Sequence, residues 1–435
     1  MSQNELQEEN LNDGLSALTA STDRQLGRAG ARSLRYLQIG VQASHAQTHK
    51  ERQPVQIAFA LDRSGSMGGE KMTLAKQAVV AALSQLEKGD QFAVTVFDDH
   101  VDVVAAAADV TTKSLAQAKR ALDGVEARGS TALYAGWDTA CGELARVQKQ
   151  GTMGRCIVVT DGQANHGPSS PLELAEAARR RRAAGIATTA LGIGEDFNEE
   201  LLAAMSKAGA GQFYYVRSAA QLASILSTEI NDAMDVVARG VVVELWPSDG
   251  VRLELLSDLP AIWTGTHLRV ELGDLVSDQR IDLVATALLP RVSGGDPPSV
   301  EVRASDADGP LELPVQLVQW KLANHRANDG QPRDFGVLRA AAAVVAARAL
   351  LGVLERNRRG EFTVVRKRLD EALAQLHNMG KDDPEIRVHI AQLTEARDQL
   401  SHFVEEYALK EMHMRGTSVA RSKDLCGAPM RSPVR

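Results

Sequence analysis

The stretch AFALDRSGSMGGEKMTLAKQAVVAAL, residues 58–83, decides the fold. It opens on short apolar, β-prone residues, reaches Asp62, passes through Ser-Gly-Ser-Met-Gly-Gly, and continues with helical periodicity from about Lys71. Glycines at 65, 68 and 69 permit a tight path after the strand. Side chains two residues apart, at Asp62, Ser64 and Ser66, are then able to face one point. The same rhythm continues outward. VQIAFALD, QFAVTVFDD, RCIVVTDG, IATTALGIG and GQFYYVRS read as short apolar strands. KMTLAKQAVVAALSQLEKG, TKSLAQAKRALDGVE, TALYAGWDTACGELARVQ, LELAEAARRRRAAG, NEELLAAMSKAG and AAQLASILSTEINDAMD read as helices. Strands that are apolar almost throughout, alternating with helices, predict a doubly wound, mostly parallel α/β sheet buried on both faces, over residues 54–235.

The flanks follow other patterns. Residues 14–50 hold two strand-like pieces, LSALTAS and SLRYLQIGVQAS, around a turn-rich segment. Residues 236–320 hold only short strands with turn signals between them, a β-sandwich pattern. Residues 333–410 carry three amphipathic or apolar helical runs, the last being PEIRVHIAQLTEARDQLSHFVEEYALKEM, which predict a small antiparallel bundle. Residues 1–13 and 415–435 are expected to be disordered. The fold class expected is therefore an α/β doubly wound unit, a β-sandwich, and a small α-helical domain after it.

Composition narrows the function. The chain has 435 residues, 44% hydrophobic and 24% charged, as expected of globular protein. A net charge of −7 does not favour nucleic acid or anionic membrane as a partner. There is no run of about 18 apolar residues to span a membrane. The N-terminal MSQNELQEENLNDG has no apolar signal core, so a cytoplasmic protein is expected. Cys141, Cys156 and Cys426 are too sparse for a disulfide framework or a zinc site.

In open parallel sheets, ligands bind beyond the carboxyl ends of the strands. Asp62, Ser64 and Ser66 follow the first strand; Ser130 and Thr131 stand before a helix; Asp161 follows RCIVVT. Carboxylates and hydroxyls without His or Cys suit Mg²⁺, or Ca²⁺ or Mn²⁺. No His-Glu-x-x-His, phosphate loop or Gly-x-Ser-x-Gly occurs, so no catalytic residue is assigned. Asp98, Asp99 and Asp102 read as a turn rather than a second cation site. Arg179 to Arg182 read as a solvated helix end, Asp196 as a helix cap, and Trp137 as core.

DRSGSM, GSTAL and VVTDG, in this order, resemble the three site loops of von Willebrand factor A domains, and LGIGEDFNEELLAAMSKAGAGQFYYV resembles the closing part of that fold. The resemblance covers about residues 54–235. It implies a metal-ion-dependent adhesion site in which Asp62, Ser64, Ser66, Thr131 and Asp161 surround one divalent ion, with one or both aspartates acting through water. It further implies that a partner protein adds a carboxylate at the open position. Similar bacterial proteins, and the heavy-chain inhibitor family of animals, insert this domain into a β-sandwich; strands of 14–50 would then pair with strands of 236–320. The function expected is a non-enzymatic, metal-dependent protein-binding module. The alternatives are a metal-dependent hydrolase or phosphatase, and a dedicated regulatory partner of an AAA+ ATPase.

Overall fold

The computed structural model describes residues 14–46, 54–148, 153–194, 196–218, 221–307, 309–311, 313–423 and 429–431. The segment 1–13 and most of the tail beyond 423, with Cys426, lie outside the described residues. The chain forms two units, one of residues 48–235 and one of the residues that flank them in sequence.

The flanking unit begins with β1 (Leu15–Thr22), β2 (Leu26–Arg28) and β3 (Ser33–Ala43). The central unit follows, with β4 (Gln56–Asp62), β5 (Gln91–Phe97), β6 (Val101–Asp109), β7 (Gly154–Thr160), β8 (Ile186–Ile193) and β9 (Ala210–Val216). Its helices are α1 (Glu70–Leu83), α2 (Thr112–Asp123), α3 (Leu133–Val147), α4 (Pro171–Ala183), α5 (Glu199–Ala208) and α6 (Leu222–Met234). The strand order is β6-β5-β4-β7-β8-β9, parallel except for β6. β4 is buried at every residue, and Ile57, Phe59 and Leu61 join one core with Ala75, Val79, Leu226 and Ile230 of α1 and α6. Alternation across the pleat sends these odd-numbered side chains to a single face.

Two local expectations change. The strand β6 is absent from the periodicity because VDVVAAAAD is alanine-rich and lies half-exposed at the sheet edge, with no residue fully buried. The cap of α5 is Asn198, whose side chain accepts from Leu201 N at 3.0 Å; Asp196 is exposed two residues earlier. Trp137 is fully buried and donates to Thr188 Oγ1 at 3.2 Å, so it is core. Arg179 and Arg180 pair with Glu176, and Arg181 with Asp138, at the end of α4. Cys141 and Cys156 are buried free thiols.

The flanking unit continues with β10 (Val236–Pro247), β11 (Arg252–Leu255), β12 (Ala261–Trp263), β13 (Leu268–Val276), β14 (Arg280–Leu289), β15 (Ser299–Asp306), β16 (Gly309–Pro310), β17 (Gln316–Gln319) and β18 (Lys321–Ala323). One sheet has the order β1-β3-β14-β11 and the other β12-β13-β10-β15-β16, with β17 also on β15. Their inner faces share a core that includes Ile39, Val41, Val243, Leu245 and Leu283, joined by Trp320 from just beyond β17. The N-terminal strands thus pair with strands from beyond residue 236, most extensively β3 with β14. The last elements are α7 (His325–Gly330), α8 (Phe335–Arg358), α9 (Phe362–Gly380), α10 (Pro384–Leu400) and α11 (Glu406–Ala420). Tyr36, Leu256 and Val284 on the outer face of the first sheet join the core of these helices.

The single helix expected over 384–412 is two. Asn357 Nδ2, from α8, donates to Leu400 O at 2.8 Å and His402 O at 2.7 Å, which takes the carbonyls where α10 ends. Phe403, in the break, is 70% exposed rather than part of a stripe. Residues 415–420, expected to be disordered, complete α11. By length and composition alone, α8 is apolar enough to cross a membrane; half of its apolar window is buried within the protein.

Candidate metal centre

The order of strands makes β4 the point where winding reverses: the chain moves from β4 to β5 on one side and later to β7 on the other. Loops leaving the carboxyl ends of β4 and β7 diverge there and leave a crevice. Backbone bonds tie the loops together. Arg63 N donates to Phe97 O at 2.8 Å, Gly65 N to Gly129 O at 3.1 Å, and Asn165 N to Thr131 O at 3.0 Å. Gly129 has φ +66, and a Cβ there would lie 2.2 Å from Asp99 Oδ1, so glycine is required at that crossing.

The side chains form a chain of oxygen atoms. Asp62 Oδ1 accepts from Ser64 N at 2.7 Å, and Ser64 Oγ lies 3.1 Å from Ser66 Oγ. Ser66 Oγ donates to Asp161 Oδ1 at 2.6 Å. A Cβ at Gly162 would sit 2.9 Å from Thr131 Oγ1 and 3.8 Å from Asp62 Oδ2, so glycine leaves that hydroxyl room beside the carboxylate. The fold thus brings Asp62, Ser64, Ser66, Thr131 and Asp161 together. All but Ser66 are buried; Ser66 opens to solvent.

Two further residues belong to the cluster. Thr160 Oγ1 donates to Asp62 Oδ2, and Lys71 Nζ donates to Asp161 Oδ2. Thr160 sits beside Asp161 in VVTDG, but nothing in a strand's last threonine signals that it turns to Asp62. Lys71 has one local signal, a cation in the first turn of a helix, but nothing in the sequence says that it turns to Asp161. Burial pushes the Asp62 carboxyl up to about 6; the bonds from Thr160 and Ser64 pull it down, and the charge of Asp161 adds to the rise. A buried carboxylate in that state gains strongly from a nearby cation.

Asp98 is a different case. Its ligand atoms and those of Asp99 and His100 lie within 4.8 Å of one another. However, Arg63 and Arg128 already bind its carboxylate at 3.0 and 2.8 Å, and Arg63 also binds Asp102. Burial alone would raise the Asp98 carboxyl; bonds from Arg128, His100 N and Arg63 outweigh that and hold it at about 2. Its folded value lies below the unfolded one, so its stabilisation is present above pH of about 4 and is lost as pH falls toward 2. Asp98→Ala is expected to cost about 3 kcal/mol at neutral pH, because Arg63 is buried beside it. Urea unfolding at several pH values checks this; Asp98→Asn should flatten the acid limb below pH of about 4.

His166 also stands at this rim, where no spacing in the sequence points to it. Its backbone N–H donates to Thr131 O at 3.3 Å, while its residue is exposed.

Comparison with known proteins identifies the domain that carries this crevice. Residues 56–228 match the family model of the von Willebrand factor type A domain. The chain is 25% identical over 319 residues to the uncharacterized protein sll0103 of Synechocystis sp., covering 68% of this chain and 74% of that one. It is 23% identical over 223 residues to inter-alpha-trypsin inhibitor heavy chain H4 of Bos taurus, covering 50% of this chain but 24% of that protein. Among solved structures, a von Willebrand factor type A protein from Catenulispora acidiphila shares the fold over 94% of this chain and 98% of its own, with TM-score 0.70 and 19% identity. The unit whose strand ends gather these oxygen atoms is a von Willebrand factor type A domain.

Proposed function

We propose that this protein is a non-enzymatic binding module that captures an acidic residue of a partner protein through a divalent cation held by Asp62, Ser64, Ser66, Thr131 and Asp161. The observation that supports this reading is the donor set: hydroxyls and two carboxylates, all oxygen, at one crevice. Hard oxygen donors fit Mg²⁺, Ca²⁺ or Mn²⁺. The carboxylates are engaged as acceptors: Asp62 by Ser64 N and Thr160, Asp161 by Ser66 and Lys71. They therefore orient the Ser64 backbone and the Ser66 hydroxyl as much as they supply charge. A bound cation would supply a positive charge with an open position that accepts a carboxylate from outside. Ser66, exposed on the rim, keeps that position reachable.

The hydrolase alternative needs a base beside the cation. Among the described residues, the feature in its favour is His166 on the third loop, whose backbone N–H is tied to Thr131. Mg²⁺-dependent turnover of phosphate or carboxylate esters, abolished by His166→Ala, would replace the binding reading.

The test is a pull-down with Mg²⁺, with EDTA, and with Asp161→Ala. Capture in Mg²⁺ that is lost in the other two arms is expected. Capture that survives both chelation and the substitution overturns the reading.

A further inference from the structure

Lys71 stands where helix physics disfavours it. It occupies the first turn of α1, which begins at Glu70. The N-terminal end of a helix carries partial positive charge and repels an ammonium group. A departure from local preference marks a residue held for another reason. Helical side chains lean toward the N-terminus, so a lysine here reaches back over the loop that precedes the helix. It does so: Nζ donates to Asp161 Oδ2, with a second bond to Ser66 O at 3.3 Å. Its partner's side chain is fully buried, while that of Lys71 is 36% exposed. The two Asp161 oxygens are thus divided, one for the Ser66 hydroxyl and one for Lys71.

We infer that Lys71 is the specificity-determining residue of this site: a built-in counter-ion of Asp161 that lowers the affinity for the metal and creates the demand for an outside carboxylate. The inference rests on the metal-binding reading above. Asp62, Asp161 and Lys71 together carry one net negative charge when all are ionised. A divalent cation reverses that to one net positive charge, which one carboxylate from a partner cancels. Without Lys71, the cation and the two aspartates would already be neutral, and the pull on a partner's carboxylate would fall. Because Lys71 also neutralises Asp161 before any cation arrives, it keeps the Ser66–Asp161 geometry in place in the ion-free protein. Arginine in this position keeps the charge; methionine keeps most of the length and removes the charge.

The experiment is calorimetric titration of Mg²⁺ into the full chain as wild type, Lys71→Met and Lys71→Arg, each with and without acetate as a free carboxylate. Lys71→Met is expected to bind Mg²⁺ about tenfold more tightly than wild type, by loss of a like charge at short range, with the gain shrinking at high salt. Lys71→Arg should stay within about twofold of wild type. Acetate should tighten Mg²⁺ binding in wild type and much less in Lys71→Met, since linked ligands raise each other's affinity reciprocally. Thermal unfolding supplies a second readout: ion-free Lys71→Met should melt lower than wild type and recover more on adding Mg²⁺. Equal or weaker Mg²⁺ binding by Lys71→Met, with wild type binding normally, overturns the role of Lys71 and leaves the metal site standing. Failure of both wild type and Lys71→Met to bind Mg²⁺, and Ca²⁺ or Mn²⁺ titrated in the same way, overturns both. Binding by Lys71→Met alone supports the inference in its strongest form, with Lys71 excluding the ion until a carboxylate is present.

Discussion

Asp62→Ala is expected to weaken divalent-ion binding on the order of 100-fold or more and to abolish chelator-sensitive capture of a partner. Asp62 lies at the centre of the cluster: it ends β4, is fully buried, and accepts from Ser64 N at 2.7 Å and from Thr160. Removing it takes away a charge and also the acceptor that aims the Ser64 loop. Each of the two donors left buried without it costs roughly 1–3 kcal/mol, offset in part because the buried carboxylate itself is disfavoured, as its rise to about 6 shows. Asp62→Asn separates the two effects. The amide keeps an acceptor for Ser64 N, and the Thr160 hydroxyl can turn to accept instead of donate. Its ion-free stability should match or exceed wild type, while ion binding is lost. Calorimetric titration with Mg²⁺, beside urea unfolding of the same samples, makes the check. Wild-type affinity in Asp62→Asn would rule out Asp62 as an ionic contributor to the site.

Glu229→Ala is expected to cost about 3–5 kcal/mol, the largest stability loss of any single side chain considered in the central unit. Glu229 sits on α6 with no exposure. Its Oε2 accepts from Arg155 at 2.9 Å and Thr189 at 2.8 Å, and its Oε1 accepts from Tyr214 at 2.6 Å. These partners come from β7, β8 and β9, so one carboxylate fastens the last helix of the unit to three strands. Burial pushes the Tyr214 hydroxyl well above its ordinary value, and the Glu229 charge beside it adds to that, so Tyr214 stays a donor. Truncation leaves the Arg155 guanidinium, 15% exposed, without this carboxylate. Glu229→Gln, which keeps two acceptor lone pairs but no charge, should lose less. Urea midpoints measure both; a loss under about 1 kcal/mol for Glu229→Ala would mean the carboxylate's own desolvation cancels what it binds.

Much of the architecture is legible from period and length. The alternation of apolar strands with helices marks the central sheet because a strand buried on both faces must be apolar throughout, as β4 is. Elements escape notice where burial is one-sided or supplied from afar. In β6, alanines on an exposed edge carry no periodic signal. The break between α10 and α11 is made by Asn357, more than 40 residues upstream, capturing two carbonyls. The outer face of β3 and β14 contributes Tyr36 and Val284 to the helical core, which alternation along each strand does not announce.

The sequence by itself determined which oxygen-bearing side chains meet at one rim. Asp62, Ser64, Ser66, Thr131 and Asp161 follow strands or precede helices, so their positions at one rim are consequences of local structure and of parallel winding. Tertiary structure alone decided what acts on those side chains and on the carboxylate beside them. Thr160 on Asp62, Lys71 on Asp161, and the pairing of Asp98 with Arg63 and Arg128 bridge loops 30 to 98 residues apart. Such contacts depend on which strands become neighbours and which way a side chain leans after folding. A threonine, a lysine or an aspartate has the same identity in the chain whether it ends up solvated or locked against a buried charge.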